Sequence, residues 1–339
     1  MPSAELAAAA LVPQPEYAGR SGARGGDPEP ALRRRGRGKA IAASRKLFLD
    51  TMADAPLQPE PIEPLEAELD VLAGADEKEQ ARAERSSETA LPAIQFRNVS
   101  ISFDGRAVLE DVSFSVNRGQ TLCILGRSGV GKSVSLRMIM GFLQPDSGSI
   151  CVEGQEVTSL GEEGMRAIRK RVTMVFQNGA LFDSLSVREN VAFPLRERGG
   201  LDDDQVNQLV DRLISLVGAE DVMEALPASL STGRKRAVAM ARALAAQPEV
   251  VLYDEPTTMV DPIIARRLGH LIQRLKHQLG FTSIVVTHDT RFARQLADTV
   301  LFLHKGRALF FGSLQDFLGS DDPEIQQFLS LDAYLLPTE

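Results

Sequence analysis

Thr121-Leu-Cys-Ile-Leu-Gly-Arg-Ser-Gly-Val-Gly-Lys-Ser133 is the stretch on which the fold turns. Its first five residues form a continuous apolar run, the pattern of a strand buried on both faces. The next eight satisfy G-x-x-x-x-G-K-[ST]. Glycines suit a loop that wraps its N–H groups around a phosphate, because a Cβ would obstruct the approach. Gly126, Arg127, Ser128, Gly129, Val130 and Gly131 would line that cradle, with Val134 just beyond it. Lys132 would reach the β- and γ-phosphates and Ser133 would offer a Mg²⁺ ligand, while the helix predicted over 134–140 points its positive N-terminus at the anion. Such a pattern arises by chance in roughly one chain of this length in a hundred. A strand before it and a helix after it disfavour a mere glycine-rich turn.

Outward from that loop, a second apolar run, Val250-Val-Leu-Tyr-Asp254-Glu255, ends in adjacent carboxylates. At the C-terminal edge of a strand, Asp254 can join a Mg²⁺ shell, and Glu255, pointing the other way, can polarise an attacking water. Alone, the dipeptide would read as a solvated pair. Beside a phosphate loop it becomes a catalytic candidate. Residues 94–103 alternate as a strand, and 107–116 as a second one interrupted by Leu109, Glu110 and Asp111. Strands then alternate with helical stretches through 283–287 and 300–303, which predicts an α/β domain with a mainly parallel sheet. Asp298, also near a strand, reads as structural.

Composition sets the limits of this domain. The 339 residues are 43% apolar and 25% charged with a formal net charge of −8, enough for one large domain with extensions or for two domains. Cys123 and Cys151 are the only cysteines, so a disulfide scaffold is excluded and both read as ordinary buried thiols of a reducing compartment. No apolar run approaches the about 20 residues of a membrane span, so a membrane role must come through a partner. The acidic balance argues against nucleic acid as a partner. Residues 1–92, rich in Ala, Pro, Arg, Glu and Gly, lack a core-forming pattern and are expected to be a disordered low-complexity extension. A basic block from Arg33 to Lys46 reads as a solvated tail, with contact to anionic lipid as the sharper alternative. No secretory signal is legible, and Met52 is an alternative start. The domain is expected over 93–313, with a C-terminal tail over 314–339.

The motifs together resemble those of the ATPase subunit of an ABC transporter. Gln177 in Val-Phe-Gln-Asn matches the Q-loop, and Leu230-Ser-Thr-Gly-Arg234 stands at the LSGGQ signature. Asp254 and Glu255 match Walker B, Met259-Val-Asp261 the D-loop, His288 in Val-Thr-His-Asp the switch histidine, and Phe103 the aromatic that stacks on adenine. The resemblance implies a P-loop NTPase fold of the ABC type, with a RecA-like core, an antiparallel β subdomain and a helical signature subdomain. It implies a head-to-tail homodimer with ATP between one subunit's phosphate loop and the other's signature, where Ser231, Gly233 and Asp261 act across the dimer. Glu255 would orient water, Lys132 would hold the phosphates, and His288 and Gln177 would sense the γ-phosphate. Ser133, Gln177 and Asp254 would hold Mg²⁺. Thr232 replaces the usual first glycine of the signature, and Arg234 stands where Gln or Met is frequent. A β-branched residue would be strained if that position needs positive φ, so slow or partner-dependent hydrolysis is one expectation.

Residues 176–196, Phe-Gln-Asn-Gly-Ala-Leu-Phe-Asp-Ser-Leu-Ser-Val-Arg-Glu-Asn-Val-Ala-Phe-Pro-Leu-Arg, are similar to ATPases that serve Mce-type lipid transporters, as are Asp261-Pro-Ile263 and residues 322–329. That similarity implies phospholipid transport with an MlaE-type permease docked through residues 177–195 and an Mce-domain lipid-binding protein reached indirectly. It also implies a cytoplasmic location, peripheral on the inner membrane. Leu181, Phe182 and Leu185 are expected to be exposed for a helix-in-groove contact, with core packing as the alternative. Other readings are the ATPase of an amino-acid or other small-solute importer, and a non-transport or binding-only ABC protein. The non-transport kind usually carries a long coiled coil, a second ATPase domain or zinc cysteines.

Overall fold

The computed structural model describes residues 91–333. The basic block, Met52 and most of the expected extension lie outside the described residues. β1 (Ile94–Phe103) and β2 (Arg106–Val116) lead to β3 (Thr121–Leu125) and α1 (Lys132–Ile139), then β4 (Ser147–Val152), β5 (Gln155–Glu156), α2 (Glu162–Arg169) and β6 (Val172–Val175). Next come α3 (Val187–Arg198), α4 (Asp203–Leu216), α5 (Thr232–Ala245), β7 (Val250–Asp254), α6 (Pro262–Leu279), β8 (Thr282–Val286), α7 (Thr290–Leu296) and β9 (Thr299–His304). β10 (Arg307–Ser313), α8 (Leu314–Leu318) and α9 (Pro323–Ala333) close the described chain.

The continuous apolar runs become the centre of the larger sheet, whose strand order is β10-β9-β3-β8-β7-β6. Every residue of β3, β7 and β8 is buried, as expected of parallel strands covered on both faces. The parallel registers pair Ile124 with Val286 and Asp254 with Val286, so β3, β7 and β8 end along one edge. In open α/β sheets that carboxyl edge is where ligands bind.

The smaller sheet is antiparallel, in the order β2-β1-β4-β5. The interruption expected at Leu109 to Asp111 is a bulge inside one continuous strand. Asp111 adopts φ 53 and Asn98 opposite adopts φ 50, and Asn98 Nδ2 donates to Asp111 Oδ1 at 2.7 Å. A bulge absorbs the extra residue and keeps the ladder on both sides.

Between β6 and β7 the chain builds a helical lobe from α3, α4 and α5. Capping boxes start α3 and α4: Ser186 with Glu189, and Asp202 with Gln205. Val191, Leu195, Val206, Leu213 and Val238 bury the facing sides of these helices in one core.

The chain from residue 314, expected to be a tail, is a folded part of the domain at least through Phe328. Phe317 and Ile325 are fully buried, and Phe328 is only 6% exposed. The Phe302 ring lies 5.6 Å from Phe317 and 4.9 Å from Phe328. Three apolar anchors among polar residues are few enough to pass for a tail in sequence, yet all three join the core, and both phenylalanines dock on Phe302 of β9. Cys123 is buried and Cys151 half-buried, both as free thiols, and burial pushes the Cys123 thiol far up. Asp298 is structural: its carboxylate accepts from the Thr121 N–H and from Lys276, each at 2.6 Å. Among the described residues no helix is long and apolar enough to cross a membrane.

Candidate functional site

The loop between β3 and α1 has a backbone that requires its glycines. Gly126 adopts φ 148 and Gly131 φ 100. A Cβ at Gly126 would stand 2.5 Å from the Leu303 carbonyl oxygen, and one at Gly131 the same distance from Leu109 Cδ2. α1 begins at Gly131 without a side-chain cap and without an acidic residue in its first turn. Its leading N–H groups are thus left for an anion. Lys132 is buried, and its Nζ donates to the Gly126 carbonyl at 2.9 Å and the Arg127 carbonyl at 3.2 Å.

Asp254 ends β7, which β8 separates from β3, and there the Ser133 hydroxyl donates to its carboxylate at 2.6 Å. Burial raises the Asp254 pKa, against the opposing Ser133 hydrogen bond. Glu255 turns out of the strand with φ 47, a left-handed conformation rare for a residue with a Cβ. Its carboxylate lies 3.2 Å from Lys132 Nζ and 2.8 Å from His288 Nδ1, and accepts from the Thr258 hydroxyl at 3.1 Å. Burial alone would raise the Glu255 pKa. The His288 hydrogen bond and the Lys132 charge outweigh it and hold the carboxyl below its ordinary range. His288 is raised in turn, chiefly by its hydrogen bond to Glu255. The arrangement is a carboxylate held between a lysine ammonium and a histidine at the mouth of a phosphate cradle.

Direct contacts therefore join Lys132, Ser133, Asp254, Glu255 and His288, drawn from three segments that are well separated in the chain. These contacts do not extend to Phe103, Gln177, Ser231, Gly233 or Asp261. Phe103 ends β1 with an exposed ring, and Gln177 is exposed two residues beyond β6, the strand beside β7. Ser231 caps α5, accepting from the Arg234 N–H at 3.4 Å, and Asp261 caps α6, accepting from the Ile263 N–H at 2.8 Å. A Cβ on Gly233 would meet Ile264 Cγ2 at 2.7 Å, so the glycine allows α5 to approach α6. Thr232 is the first helical residue of α5 and does not have positive φ, so the strain feared for a β-branched residue there is absent. Arg234 pairs with Asp221 at 2.5 Å.

Of the three apolar residues expected on the surface after Gln177, Leu181 and Leu185 are half-buried, and Leu181 packs on the core. Phe182 is 43% exposed and meets Phe193, 42% exposed, with ring centroids 4.9 Å apart. Arg242 lies over the Phe182 ring at 5.4 Å. Phe193 went unnoticed in the sequence, although an aromatic on the outer side of a capped helix was its available signal. Thr258 gave no signal, since a hydroxyl in a turn is ordinary.

A parallel sheet that presents a phosphate loop, an acid pair and a histidine along its carboxyl edge defines the P-loop nucleoside triphosphatases. Residues 109–258 match the ABC transporter family. The chain is 36% identical over 236 residues to the intermembrane phospholipid transport system ATP-binding protein MlaF of Escherichia coli (strain K12), covering 70% of this chain and 88% of MlaF. It is 39% identical over 223 residues to the methionine import ATP-binding protein MetN of Brucella abortus (strain 2308), covering 66% of this chain and 60% of MetN. Among solved structures it resembles the dimeric post-hydrolysis state of the ATP-binding cassette MJ0796 bound to ADP and Pi, at 28% identity and a TM-score of 0.61 over 65% of this chain and 98% of that one. It also resembles cbiO1 from Clostridium perfringens, part of the ABC transporter complex cbiONQ, at 27% identity and a TM-score of 0.64 over 72% of this chain and 97% of that one. The chain belongs to the ABC transporter family and is an ATP-binding ATPase subunit of that family.

Proposed function

We propose that this ATPase hydrolyses Mg·ATP at the cluster of Lys132, Ser133, Asp254, Glu255 and His288, and that the energy moves phospholipid or a related hydrophobic molecule. The observation that carries the catalytic part is the ionised Glu255 carboxylate held between His288 and Lys132 at the carboxyl edge of the sheet. On nucleotide entry, Lys132 exchanges Glu255 and the loop carbonyls for phosphate oxygens, and the N–H groups of residues 126–134 surround them. Phe103 supplies a surface for adenine. The hard oxygens of Ser133 and Asp254 suit Mg²⁺ and would hold it, with Gln177 as a further ligand; bound there, it would neutralise charge on the phosphates. Glu255, freed from Lys132, orients the attacking water, while His288 and Gln177 respond to the γ-phosphate. Ser231, Gly233 and Asp261 act on the nucleotide of a second copy in a head-to-tail homodimer. Support for this comes from the position of Ser231 at a helix N-terminus and from the dimeric cassette among the relatives.

The lipid reading rests on the length of the MlaF match, 88% of that protein against 60% of MetN. The partners are an MlaE-type integral-membrane permease, contacted through residues 177–195, and indirectly an Mce-domain protein. The chain then sits peripherally on the cytoplasmic face of the inner membrane. The 39% identity to MetN favours a second reading, an amino-acid importer ATPase. Two experiments test these statements. Glu255→Gln should keep ATP binding, lower turnover by about 100-fold or more and trap a nucleotide-bound dimer; near-normal turnover would remove Glu255 from its role. Reconstitution with an MlaE-type permease in vesicles should give ATP-dependent phospholipid movement, whereas stimulation by methionine with a solute permease, and none by lipid, would establish the importer reading.

A further inference from the structure

Arg236 lies one turn into α5 and is 5% exposed. It pairs with no carboxylate among the described residues. Its Nη1 donates to the Glu255 carbonyl at 3.1 Å and the Pro256 carbonyl at 2.5 Å, and its Nη2 donates to the Thr258 carbonyl at 2.5 Å. Nε is buried without a partner. A guanidinium buried without a counter-charge is unfavourable unless its donors are well used, and here they converge on the carbonyls of a single turn. That turn runs between two residues with left-handed backbones, Glu255 at φ 47 and Met259 at φ 59. Side-chain-bearing residues persist in that region only where the surroundings hold them. Carbonyls gathered on the inside of the turn repel one another, and a planar cationic fork is the group that can bridge them.

We propose that Arg236 is a positioning residue for hydrolysis: its fork holds the 255–258 turn in the left-handed course that aims the Glu255 carboxylate at His288 and the reacting water. The proposal rests on the reading of Glu255 as the water-orienting group. Lysine in place of Arg236 keeps the charge but offers one ammonium for carbonyls spread along the turn, so it should restore only part of the function. The side-chain partners of Glu255, namely His288, Thr258 and Lys132, remain in every Arg236 variant, so the effect isolates the backbone of the turn.

The test compares full-length wild type, Arg236→Gln, Arg236→Lys, Glu255→Gln and the double variant Arg236→Gln/Glu255→Gln. It uses steady-state ATPase kinetics, single-turnover hydrolysis of radiolabelled ATP, nucleotide binding and thermal melting. Arg236→Gln should lower kcat by about 10- to 100-fold, the scale of a small misplacement, with KM and ATP affinity within about twofold of wild type. Arg236→Lys should fall between. In single turnover the double variant should be no slower than Glu255→Gln, because a group that acts through Glu255 has nothing left to position. If Arg236→Gln does not fold, Arg236→Lys decides, and a folded lysine variant with wild-type kcat overturns the proposal. Unchanged kcat in a folded Arg236→Gln overturns it too, as does a further loss in the double variant. Near-normal turnover in Glu255→Gln instead overturns the underlying assignment of Glu255.

Discussion

His288 and Glu255 each carry a pH signature whose sign follows from their contact. The His288 pKa lies above its ordinary 6.5, so the stabilisation from its protonated form is full below 6.5 and fades as the pH rises through the folded value. The Glu255 pKa lies below 4.5, so its share is full above 4.5 and fades as the pH falls through the folded value. Between 4.5 and 6.5 both shares are complete. The melting temperature of the nucleotide-free protein in chelator should therefore decline above pH 6.5, and His288→Gln should flatten that limb. The effect should be small, because more than half of the His288 side chain is exposed and solvent screens it. Melting curves from pH 5 to 9 for both proteins check it, and equal slopes would remove the ion pair as their cause. Lys132→Ala acts on another quantity. It deletes the charge that faces the phosphates, so nucleotide affinity itself should fall by about tenfold or more, measured by titration with a fluorescent ATP analogue.

At the scale of the element, the segment between β6 and α3 is held by one buried side chain. Asn190 accepts from the Phe182 N–H at 2.8 Å, and its amide donates to the carbonyls of Phe182, Leu185 and Ser186 at 2.9–3.1 Å. A fixed backbone lets the Phe182–Phe193 pair stand out as a rigid apolar knob without help from a core. On the proposed docking of a permease through residues 177–195, Phe182→Asp should leave circular dichroism and ATP binding unchanged while pull-down of that permease is lost. Unfolding of the variant would return Phe182 to the core, and retained permease binding would place the contact elsewhere. Leu185→Asp is a less selective probe, because Leu185 is half-buried and an aspartate there would also cost stability. The lobe differs here from its expectation: an apolar run after Gln177 reads as one surface, but the fold turns Leu181 inward and Phe182 outward.

Across the whole molecule, α8 and α9 complete the core against β9. Phe328→Ala should destabilise by about 3–5 kcal/mol, the range for a buried aromatic truncated to alanine, and removal of residues 314–339 should prevent cooperative unfolding. Removal of residues 1–90, which precede every motif, should leave ATP binding intact. Denaturant curves and nucleotide titration of the three variants check this, and a stable, cooperatively folded protein ending at 313 would contradict the packing. The sequence by itself determined what is local: the glycine spacing of the phosphate loop, the buried runs that become β3, β7 and β8, and the polar residues placed just after them. Each expresses a backbone or solvation requirement felt within a few residues, so adjacent letters reveal it. Only the tertiary structure decided that Arg236 and Thr258 hold Glu255, that Phe193 meets Phe182, and that three apolar residues in an apparent tail close the core. Those contacts join segments whose separation in the chain carries no periodic signal, and they exist because the sheet and the helical lobe have already packed.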